Sequence, residues 1–433
     1  MDILTANDKQ GQYPASYYAA TAQSLPEFPA AAGDITCDVC IIGGGYTGLS
    51  AALHLAQSGV DVVLIDAHRV GWGASGRNGG QVSGGQRLDQ DSLEKMVGTT
   101  RAHALWDMSL DSISLVKDLI KQHKIDCGYT DGIIHADHRA RFVAATHDYA
   151  EKLAKDYDYH LMTPLDRDAM RAHVGSDNYF GGSLDLGSGH LHPLNFALGL
   201  AAAAQKAGAR LFENSRATAL TEGAPATVKT AMATIKAGHV IVAANGYLGK
   251  LHPALARRIM PINNFIVATE PLSESMAKSL IRDNHAVADS RFVINYFRLS
   301  QDRRMLFGGI ETYSYTFPRD IAAKVSKPML QIYPHLKGTR IDYAWGGTLG
   351  ITRSRMPNVM RIGETILSAG GFSGHGVAMA TLSGKIMAEA IAGRRENFDL
   401  LRDVPTPAFP GGTLLRFPLL VLAMTWFAMR DKF

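Results

Sequence analysis

The sequence of 433 residues contains only three cysteines, Cys37, Cys40 and Cys127. An odd and small number in so long a chain argues against a disulfide framework and favours a reducing, cytoplasmic location. Cys37 and Cys40 form a C-x-x-C pair, but a zinc site of this kind usually needs a second pair of ligands. Both cysteines lie in the apolar run 37–42, so we interpret them as part of a buried strand and predict no metal site.

A strong charge bias is also absent, since 44 basic residues stand against 40 acidic ones and the formal net charge is +4. This near balance of charges gives no reason to expect nucleic acid as a partner. Residues 417–429 form an apolar segment near the end, shorter than the ~20 residues that a membrane-spanning helix needs. This segment predicts either a packed helix or a helix that touches a membrane surface. The polar N-terminus lacks the pattern of a signal peptide.

Glycine is plentiful where the first clear structural unit begins. A strand at 37–42 is followed by Gly43, Gly45 and Gly48 in the spacing G-x-G-x-x-G, and then by an amphipathic helix. A second strand ends in Asp66, 18 residues after Gly48. This context is typical of dinucleotide binding, in which the glycines let the backbone approach a pyrophosphate at the helix N-terminus. Asp66 would accept hydrogen bonds from the ribose hydroxyls.

Two further glycine-rich segments point to a large, flat ligand. Residues 70–81 carry little side-chain bulk and many free N–H groups, and Arg77 and Asn78 add donors. The run 370–376 opens another helix, whose positive end would stabilise the negative charge that a flavin gains on reduction. His375 in this run is either a further donor or a residue that only caps the helix.

The order of elements predicts an α/β fold with two domains. Strand and helix patterns near 36–66, 193–246 and 366–391 predict a discontinuous Rossmann-like domain with a parallel sheet. Residues 92–155 have a mostly helical pattern, and strand patterns at 265–268, 291–299 and 305–310 predict a sheet-rich α+β substrate domain. The expected bounds are 36–100 with 190–255 and 347–400 for the first domain, 101–189 with 256–346 for the second, and 401–433 for a C-terminal tail helix.

The chain resembles the D-amino-acid-oxidase-like superfamily of FAD-dependent amine oxidoreductases. The matching segments are 35–50, 73–81, 189–195, 354–357, 373–377 and 409–412, and they run nearly from end to end. The resemblance implies that FAD is bound by the Rossmann-like domain, and non-covalently, because no cysteine follows Cys127 where sarcosine-oxidase-like members tether their flavin. The residues expected to bind FAD are Gly43, Gly45, Tyr46, Thr47, Gly48, Asp66, Ala67, Gly73, Ala74, Ser75, Arg77, Asn78, Gly79, Gly80, Gln81, Ala217, Asn245, Gly246, Gly371, Gly374, His375, Gly376 and Val377.

The same resemblance implies oxidation of a carbon–nitrogen bond of a small amine to an imine, which water hydrolyses to an aldehyde. It implies a gamma-glutamylputrescine-like substrate and reoxidation by O2 with release of H2O2. Segment 305–310 lacks the lysine that activates oxygen in sarcosine-oxidase-like members. A dehydrogenase that passes electrons to a quinone, an oxidase of another secondary amine or imino acid, and a flavin-binding protein without turnover therefore stay open.

Three side chains are candidates for substrate contacts, and no catalytic residue is predicted. Tyr296 offers an aromatic wall with a hydroxyl group, and Arg298 could pair with a substrate carboxylate. Trp345 would line the same pocket. Alternatively, Arg298 is an exposed arginine on a strand, and Trp345 is a tryptophan of the core.

Overall fold

The computed structural model describes residues 2–312 and 314–413. Its α-helices are, in chain order, α1 (Tyr17–Thr21), α2 (Tyr46–Gln57), α3 (Gln90–Val97), α4 (Thr99–His123), α5 (Ala140–Asp156), α6 (Arg167–His173), α7 (Pro193–Lys206), α8 (Pro253–Ala256), α9 (Glu274–Leu280), α10 (Ile321–Ile332), α11 (Val377–Ile391) and α12 (Glu396–Arg402). Within these residues, none of the helices combines the length and the apolar character needed to cross a membrane.

The strands build two separate sheets. They are β1 (Gly33–Ile42), β2 (Val62–Ile65), β3 (Gln81–Val82), β4 (Thr130–Ala136), β5 (Met162–Leu165), β6 (Gly182–His190), β7 (Arg210–Phe212), β8 (Ala219–Thr221), β9 (Ala226–Lys229), β10 (Ala233–Val242), β11 (Met260–Thr269), β12 (Ala286–Asp289), β13 (Tyr296–Leu299), β14 (Met305–Thr312), β15 (Ile341–Ile351), β16 (Asn358–Ile362) and β17 (Ile366–Gly370).

The first sheet has the order β16-β17-β10-β1-β2-β7, and its central strands β17, β10, β1, β2 and β7 are parallel. Strand β2 is buried along its whole length because helices cover one face and a second apolar cluster covers the other. In β1, Val39 and Ile41 face α2, whereas Cys40 and Ile42 face the opposite cluster. The predicted parallel α/β unit is confirmed, and both cysteines of the C-x-x-C pair lie in β1.

The second sheet has the order β15-β11-β14-β13-β12-β4-β6-β3 and is mostly antiparallel, with one parallel pair between β12 and β4. One face, with Ile266 and Leu306, packs towards the first sheet and its helices. The other face, with Val267 and Phe307, packs beneath α10. Because side chains alternate along each strand, even-numbered residues of β11 and β13 face the first sheet.

Two of the sequence expectations for this sheet need correction. The strand expected at 291–299 forms only from Tyr296 onward, because the Asp289 carboxylate accepts hydrogen bonds from the backbone N–H groups of Arg291 and Asn295 and closes a turn. The helical pattern at 92–155 is interrupted by β4, which occupies the middle of the sheet.

The expected domain bounds stay a prediction, although several elements cross them. Strand β3 and the end of β15 belong to the second sheet, and α12 spans residue 401. The apolar segment 417–429 lies outside the described residues.

Candidate active site

A cavity of about 1350 Å³ lies between the carboxyl edge of the first sheet and the inner face of the second. The helices α2 and α11 both begin at this cavity, with Gly45 and Gly376 as their N-cap residues, and the Ser75 hydroxyl accepts a 3.0 Å hydrogen bond from the Tyr46 N–H at the start of α2. The free N–H groups and the positive end of a helix dipole attract anions and other acceptors. The cavity therefore has two adjacent places that suit a phosphate or a polarised carbonyl.

The turn between β1 and α2 accepts only glycine at the positions of the motif. Gly43 has φ +114°, and a Cβ atom there would lie 2.7 Å from the carbonyl oxygen of Ala243. A Cβ atom at Gly48 would overlap the carbonyl oxygen of Gly43. A Cβ atom at Gly45 would lie 2.8 Å from the Ser75 hydroxyl. The turn is a cradle of bare backbone, as the approach of a pyrophosphate requires.

Asp66 lies at the end of β2 on the border of the cavity. Its Oδ2 atom accepts a 2.7 Å hydrogen bond from the Gly44 N–H, and its Oδ1 atom accepts one of 2.7 Å from the His68 N–H. Burial raises the pKa of the Asp66 carboxyl to about 6. These two bonds fix the carboxylate at the position from which a dinucleotide-binding fold accepts ribose hydroxyls.

The loop that follows β2 is braced by its own polar side chains. Arg77 is buried, donates to the carbonyl oxygens of Trp72 (2.7 Å) and Gly346 (3.2 Å), and pairs with Asp8 at 2.8 Å. Asn78 donates to two loop carbonyl oxygens and accepts from the Gly80 N–H at 2.7 Å. Both residues border the cavity, but most of their donors hold the loop rather than face a ligand.

The turn before α11 places His375 against the cavity wall. Its Nδ1 atom lies 3.3 Å from the Ser83 hydroxyl. Burial and the nearby charge of Arg87 lower the pKa of His375 to about 4, so the ring is neutral at pH 7. Gly371 lies behind the cavity wall, and its N–H donates a 2.8 Å hydrogen bond to the Asn245 side chain. A neutral imidazole can donate one hydrogen bond to a ligand without bringing a full charge.

The structure places the three predicted substrate residues at different positions relative to the cavity. Tyr296 borders the cavity, its ring lies against Gly79, and its hydroxyl donates to the Asn264 side chain. Arg298 lies outside the cavity lining, because its guanidinium donates to the carbonyl oxygens of Gly79 (2.8 Å) and Leu191 (2.9 Å).

Trp345 also lies outside the lining, contrary to the prediction. Its indole N–H donates to the Arg77 carbonyl oxygen at 3.1 Å, and its ring packs edge-on against Tyr18 with centroids 5.1 Å apart. Arg298 and Trp345 therefore support the loop that borders the cavity.

Most residues expected to bind the cofactor meet in the cavity wall. Four of them, all glycines, lie behind it and allow backbones to approach: a Cβ atom at Gly80 would overlap the Leu191 carbonyl oxygen, for example. Those behind the wall are Gly48, Gly80, Gly246 and Gly371, and those in it are Gly43, Gly45, Tyr46, Thr47, Asp66, Ala67, Gly73, Ala74, Ser75, Arg77, Asn78, Gly79, Gln81, Ala217, Asn245, Gly374, His375, Gly376 and Val377.

The cavity is also lined by Arg87, Glu311 and Arg355, charged residues that the sequence analysis did not single out. Burial raises the pKa of the Glu311 carboxyl, and the two arginines oppose that rise. Arg355 adopts a left-handed backbone conformation with φ +65°, which is uncommon for a residue with a side chain. Only the segment 354–357 in the family resemblance offered a sequence signal for any of them.

The cavity continues into a side arm beneath β4 and β6, which we call the acidic arm. His135 and Ser183 are cross-strand neighbours there, and Asp137 and Asp185 lie on the same face of their strands. Among the described residues, Asp137 Oδ2 and the Ser183 hydroxyl oxygen have no hydrogen-bond partner. The arm also includes Asp89 and Asp91. Polar atoms left unpaired in this wall are positioned to bind a polar ligand.

A glycine cradle, two helix starts with glycine N-cap residues and an acidic side chain at the end of β2 fit the pyrophosphate, the flavin edge and the ribose of FAD. The fold and the site therefore define a flavin-dependent oxidoreductase. The chain belongs to the family of FAD-dependent oxidoreductases called DAO, whose model matches residues 38–390.

Relatives with assigned names match almost the whole chain. The gamma-glutamylputrescine oxidoreductase of Escherichia coli is 41% identical over 97% of this chain and 99% of its own length. A probable oxidoreductase, OrdL, of Rhizobium meliloti is 42% identical over 96% of this chain and 97% of its own length. Among solved structures, glycine oxidase from Geobacillus kaustophilus covers 87% of this chain and 100% of its own, with a TM-score of 0.72 and 19% identity, and shares the fold.

Proposed function

We propose that this enzyme oxidises the carbon–nitrogen bond of an elongated amine, with a gamma-glutamylputrescine-like compound as the substrate. The observation that carries the proposal is the continuity of the cavity, which joins the FAD-binding wall to the acidic arm. The 41% identity to the E. coli gamma-glutamylputrescine oxidoreductase over nearly the whole chain supports the same substrate class.

The dimensions of the second sheet favour a long substrate. Tyr296 in β13 lies against Gly79 of the loop that follows β2, whereas His135 in β4 and Ser183 in β6 lie two and three strands away in the same row. Neighbouring strands are about 4.8 Å apart, so the row extends about 14 Å from Tyr296 to Ser183. A compact amine such as glycine would occupy only the flavin end of this row, whereas a gamma-glutamylated diamine reaches along it.

The charges of the acidic arm favour a cationic group. Four carboxylates line the arm; Asp89 and Asp91 are exposed, and Asp91 pairs with Lys152 at 3.2 Å. A unit charge 4 Å from an ammonium group contributes about 4 kcal/mol at the effective dielectric constant of 20 that is typical near a protein surface. The rings of Trp106 and Tyr149 in the same arm offer apolar walls for methylene groups.

FAD, when bound, supplies the two-electron acceptor for a hydride from the carbon next to the nitrogen. The chain orients that carbon and excludes water. The Tyr296 ring closes the wall at Gly79, and the neutral His375 offers a hydrogen-bond donor near the flavin edge. The product is an imine, which water converts to an aldehyde and an amine or ammonia. We propose O2 as the electron acceptor, reduced to H2O2, with a quinone as the alternative.

We also propose that FAD is held without a covalent bond. A flavin tether of the sarcosine-oxidase type needs a cysteine beside the ring. All three cysteines fall within the described residues, and each lies outside the cavity lining. Denaturation with acid should therefore release the whole yellow cofactor into the supernatant, whereas a covalent bond would leave it in the pellet.

The decisive test is anaerobic reduction of the FAD-loaded enzyme by a panel of amines, followed as loss of the yellow absorbance. We expect gamma-glutamylputrescine to reduce the flavin at least tenfold more efficiently than glycine or sarcosine. Addition of O2 or of a soluble quinone to the reduced enzyme then identifies the acceptor. Equal rates with all amines would contradict the substrate class, and no reduction by any amine would contradict the function.

The acidic arm can be tested with one substitution and one control. Asp137→Asn should raise KM for gamma-glutamylputrescine about tenfold and leave KM for a short alkylamine unchanged, because only the long substrate reaches the arm. Asp34→Asn, an exposed position on β1, is the matched control. An equal effect of Asp137→Asn on both substrates would refute the assignment of the arm.

A further inference from the structure

A β-bulge between β11 and β14 turns Glu311 towards the flavin cavity. In β14, Leu306 packs on the inner face of the sheet and Phe307 on the outer face. Strict alternation would place residue 310 inside and residue 311 outside. The pairing instead shifts between Phe265 and Asn264, Ile310 takes φ +59° and packs on the outer face, and Glu311 becomes the partner of Asn264.

The bulge brings Glu311 into a group of polar residues at the flavin end of the cavity. Asn264 lies directly opposite on β11 and accepts the hydrogen bond of the Tyr296 hydroxyl. All three residues border the cavity. Bulges occur often beside active sites, where they redirect a side chain. Strand β14 lies three strands from β4 and four from β6, so Glu311 is about 14–19 Å from the acidic arm.

The Glu311 carboxylate is available to a ligand. Among the described residues, its side chain forms no hydrogen bond and no ion pair, although Arg87 and Arg355 act on it electrostatically. A carboxylate with no neutralising contact inside a protein is costly unless a cation or a proton joins it. The two arginines stabilise its anionic form but stand too far away to form an ion pair.

We propose that Glu311 binds the reacting ammonium group of the substrate and accepts one of its protons. This inference rests on the proposed amine oxidation. In the proton transfer, an N–H bond of the ammonium group breaks and an O–H bond forms on the Glu311 carboxylate. The neutral amine keeps the lone pair that assists departure of a hydride from the adjacent carbon. Arg87 and Arg355 favour the anionic form of the carboxylate and so oppose the effect of its burial.

Burial makes this carboxylate a better base than a surface glutamate. It raises the pKa of Glu311, which narrows the gap to the pKa of an alkylammonium group. The arm carboxylates are too distant to serve the same nitrogen when the substrate lies along the sheet. Glu311 and the acidic arm would therefore bind opposite ends of one extended substrate.

The test uses the FAD-loaded enzyme and the variants Glu311→Gln and Glu311→Asp, with Glu364→Gln at an exposed turn as the control. The first readout is binding of n-butyltrimethylammonium, a cation that has no proton to lose and no lone pair. Its binding is followed through the change in flavin absorbance. The second readout is the pH dependence of anaerobic flavin reduction by the best amine of the panel. FAD content and melting temperature confirm that each variant is folded.

We expect Glu311→Gln to weaken binding of the quaternary cation at least tenfold, while Glu311→Asp and Glu364→Gln stay within about threefold of the wild type. We also expect the rate of reduction to fall on the acid side in the wild type, and this fall to move to higher pH, towards the pKa of the substrate ammonium group, in Glu311→Gln because no carboxylate is left to take the proton. Unchanged cation binding and an unchanged pH profile in a folded Glu311→Gln enzyme would overturn the inference. If no amine reduces the wild type, the proposed function fails, and cation binding still tests Glu311 alone.

Discussion

The closest contact between the two helices that begin at the cavity is made by Gly384 of α11, and Gly384→Ala tests its importance. A Cβ atom at this position would overlap the carbonyl oxygen of Thr47 in α2, and it would lie 2.7 Å from the Ala51 nitrogen and 2.8 Å from the Ser50 Cβ atom. Backbone atoms of α2 cannot turn away as a side chain can. The two helices must therefore separate, or one of them must shift along its axis.

Two opposing effects determine the size of the change. Alanine inside a helix is more favourable than glycine by about 1 kcal/mol. Overpacking costs about 1–3 kcal/mol where side chains can adjust, and the upper end applies here because two of the clashing atoms belong to the backbone. A gap of ~1 Å between α2 and α11 also removes up to half of the dispersion energy of the contacts along the helix pair. We expect a net loss of about 2 kcal/mol in the free energy of unfolding.

The same shift should weaken FAD binding, because both helices contribute their N-terminal ends to the cavity. Loss of one charge-assisted hydrogen bond costs about 1.5–3 kcal/mol, which corresponds to at least a tenfold increase in the dissociation constant. Gly199→Ala in α7 is the matched control. It brings the same gain in helix propensity but meets only the side chain of Ile125.

The measurements are thermal unfolding of the FAD-loaded proteins and FAD titration after removal of the cofactor. Gly384→Ala should melt below the wild type and bind FAD more weakly, whereas Gly199→Ala should keep the affinity of the wild type for FAD. A Gly384→Ala protein with a raised melting temperature and unchanged FAD affinity would show that the helix pair adapts at no cost. The argument from backbone overlap would then be wrong.

Three further predictions concern charged groups of the site. Burial raises the pKa of the Asp66 carboxyl from 3.8 to about 6. The FAD-free fold should therefore lose up to ~3 kcal/mol of its free energy of unfolding as the pH rises from about 4 to about 6. Asp66→Ala should remove this pH dependence, measured by urea unfolding, and should also weaken FAD binding. Burial and the charge of Arg87 lower the pKa of His375 from 6.5 to about 4. The stability that its neutral form contributes is therefore lost as the pH falls from 6.5 to about 4. The melting temperature of His375→Gln should fall less than that of the wild type over this pH range. Asp8→Asn leaves the buried Arg77 guanidinium without its 2.8 Å partner and should cost about 3 kcal/mol with loss of FAD, whereas Asp61→Asn in the exposed pair with Arg210 should cost less than 1 kcal/mol.

The parts of the fold that local sequence patterns determine were predictable. A crowded turn can be recognised in the sequence because only glycine fits there. Gly43 has a positive φ angle, and Gly48 lies beside the Gly43 carbonyl oxygen. The acidic residue at the end of β2 follows from the same unit. These features predict where one half of FAD binds from about 30 residues of sequence.

The substrate side was less predictable because it depends on pairing between distant strands. Glu311 faces the cavity only because the register of β14 shifts against β11, and nothing near residue 311 marks that shift in advance. Strand β4 was hidden in a mostly helical pattern, so the acidic arm that it helps to form was not foreseen either. Arg298 was predicted in a strand and lies in one, but the hydrogen bonds of Arg298 and Trp345 to the loop cannot be read from strand periodicity.

Those hydrogen bonds explain how the two halves of the site keep their alignment. The loop at residues 72–81 is attached to the second sheet from three directions: Arg298 of β13 binds the Gly79 carbonyl oxygen, Trp345 of β15 binds that of Arg77, and Arg77 itself binds that of Gly346. This loop is therefore held by the same sheet that carries Tyr296 and Glu311. Because these side-chain hydrogen bonds fix the loop relative to the second sheet, we expect substitutions in the acidic arm to change which amine is bound without changing the distance between the loop and the sheet.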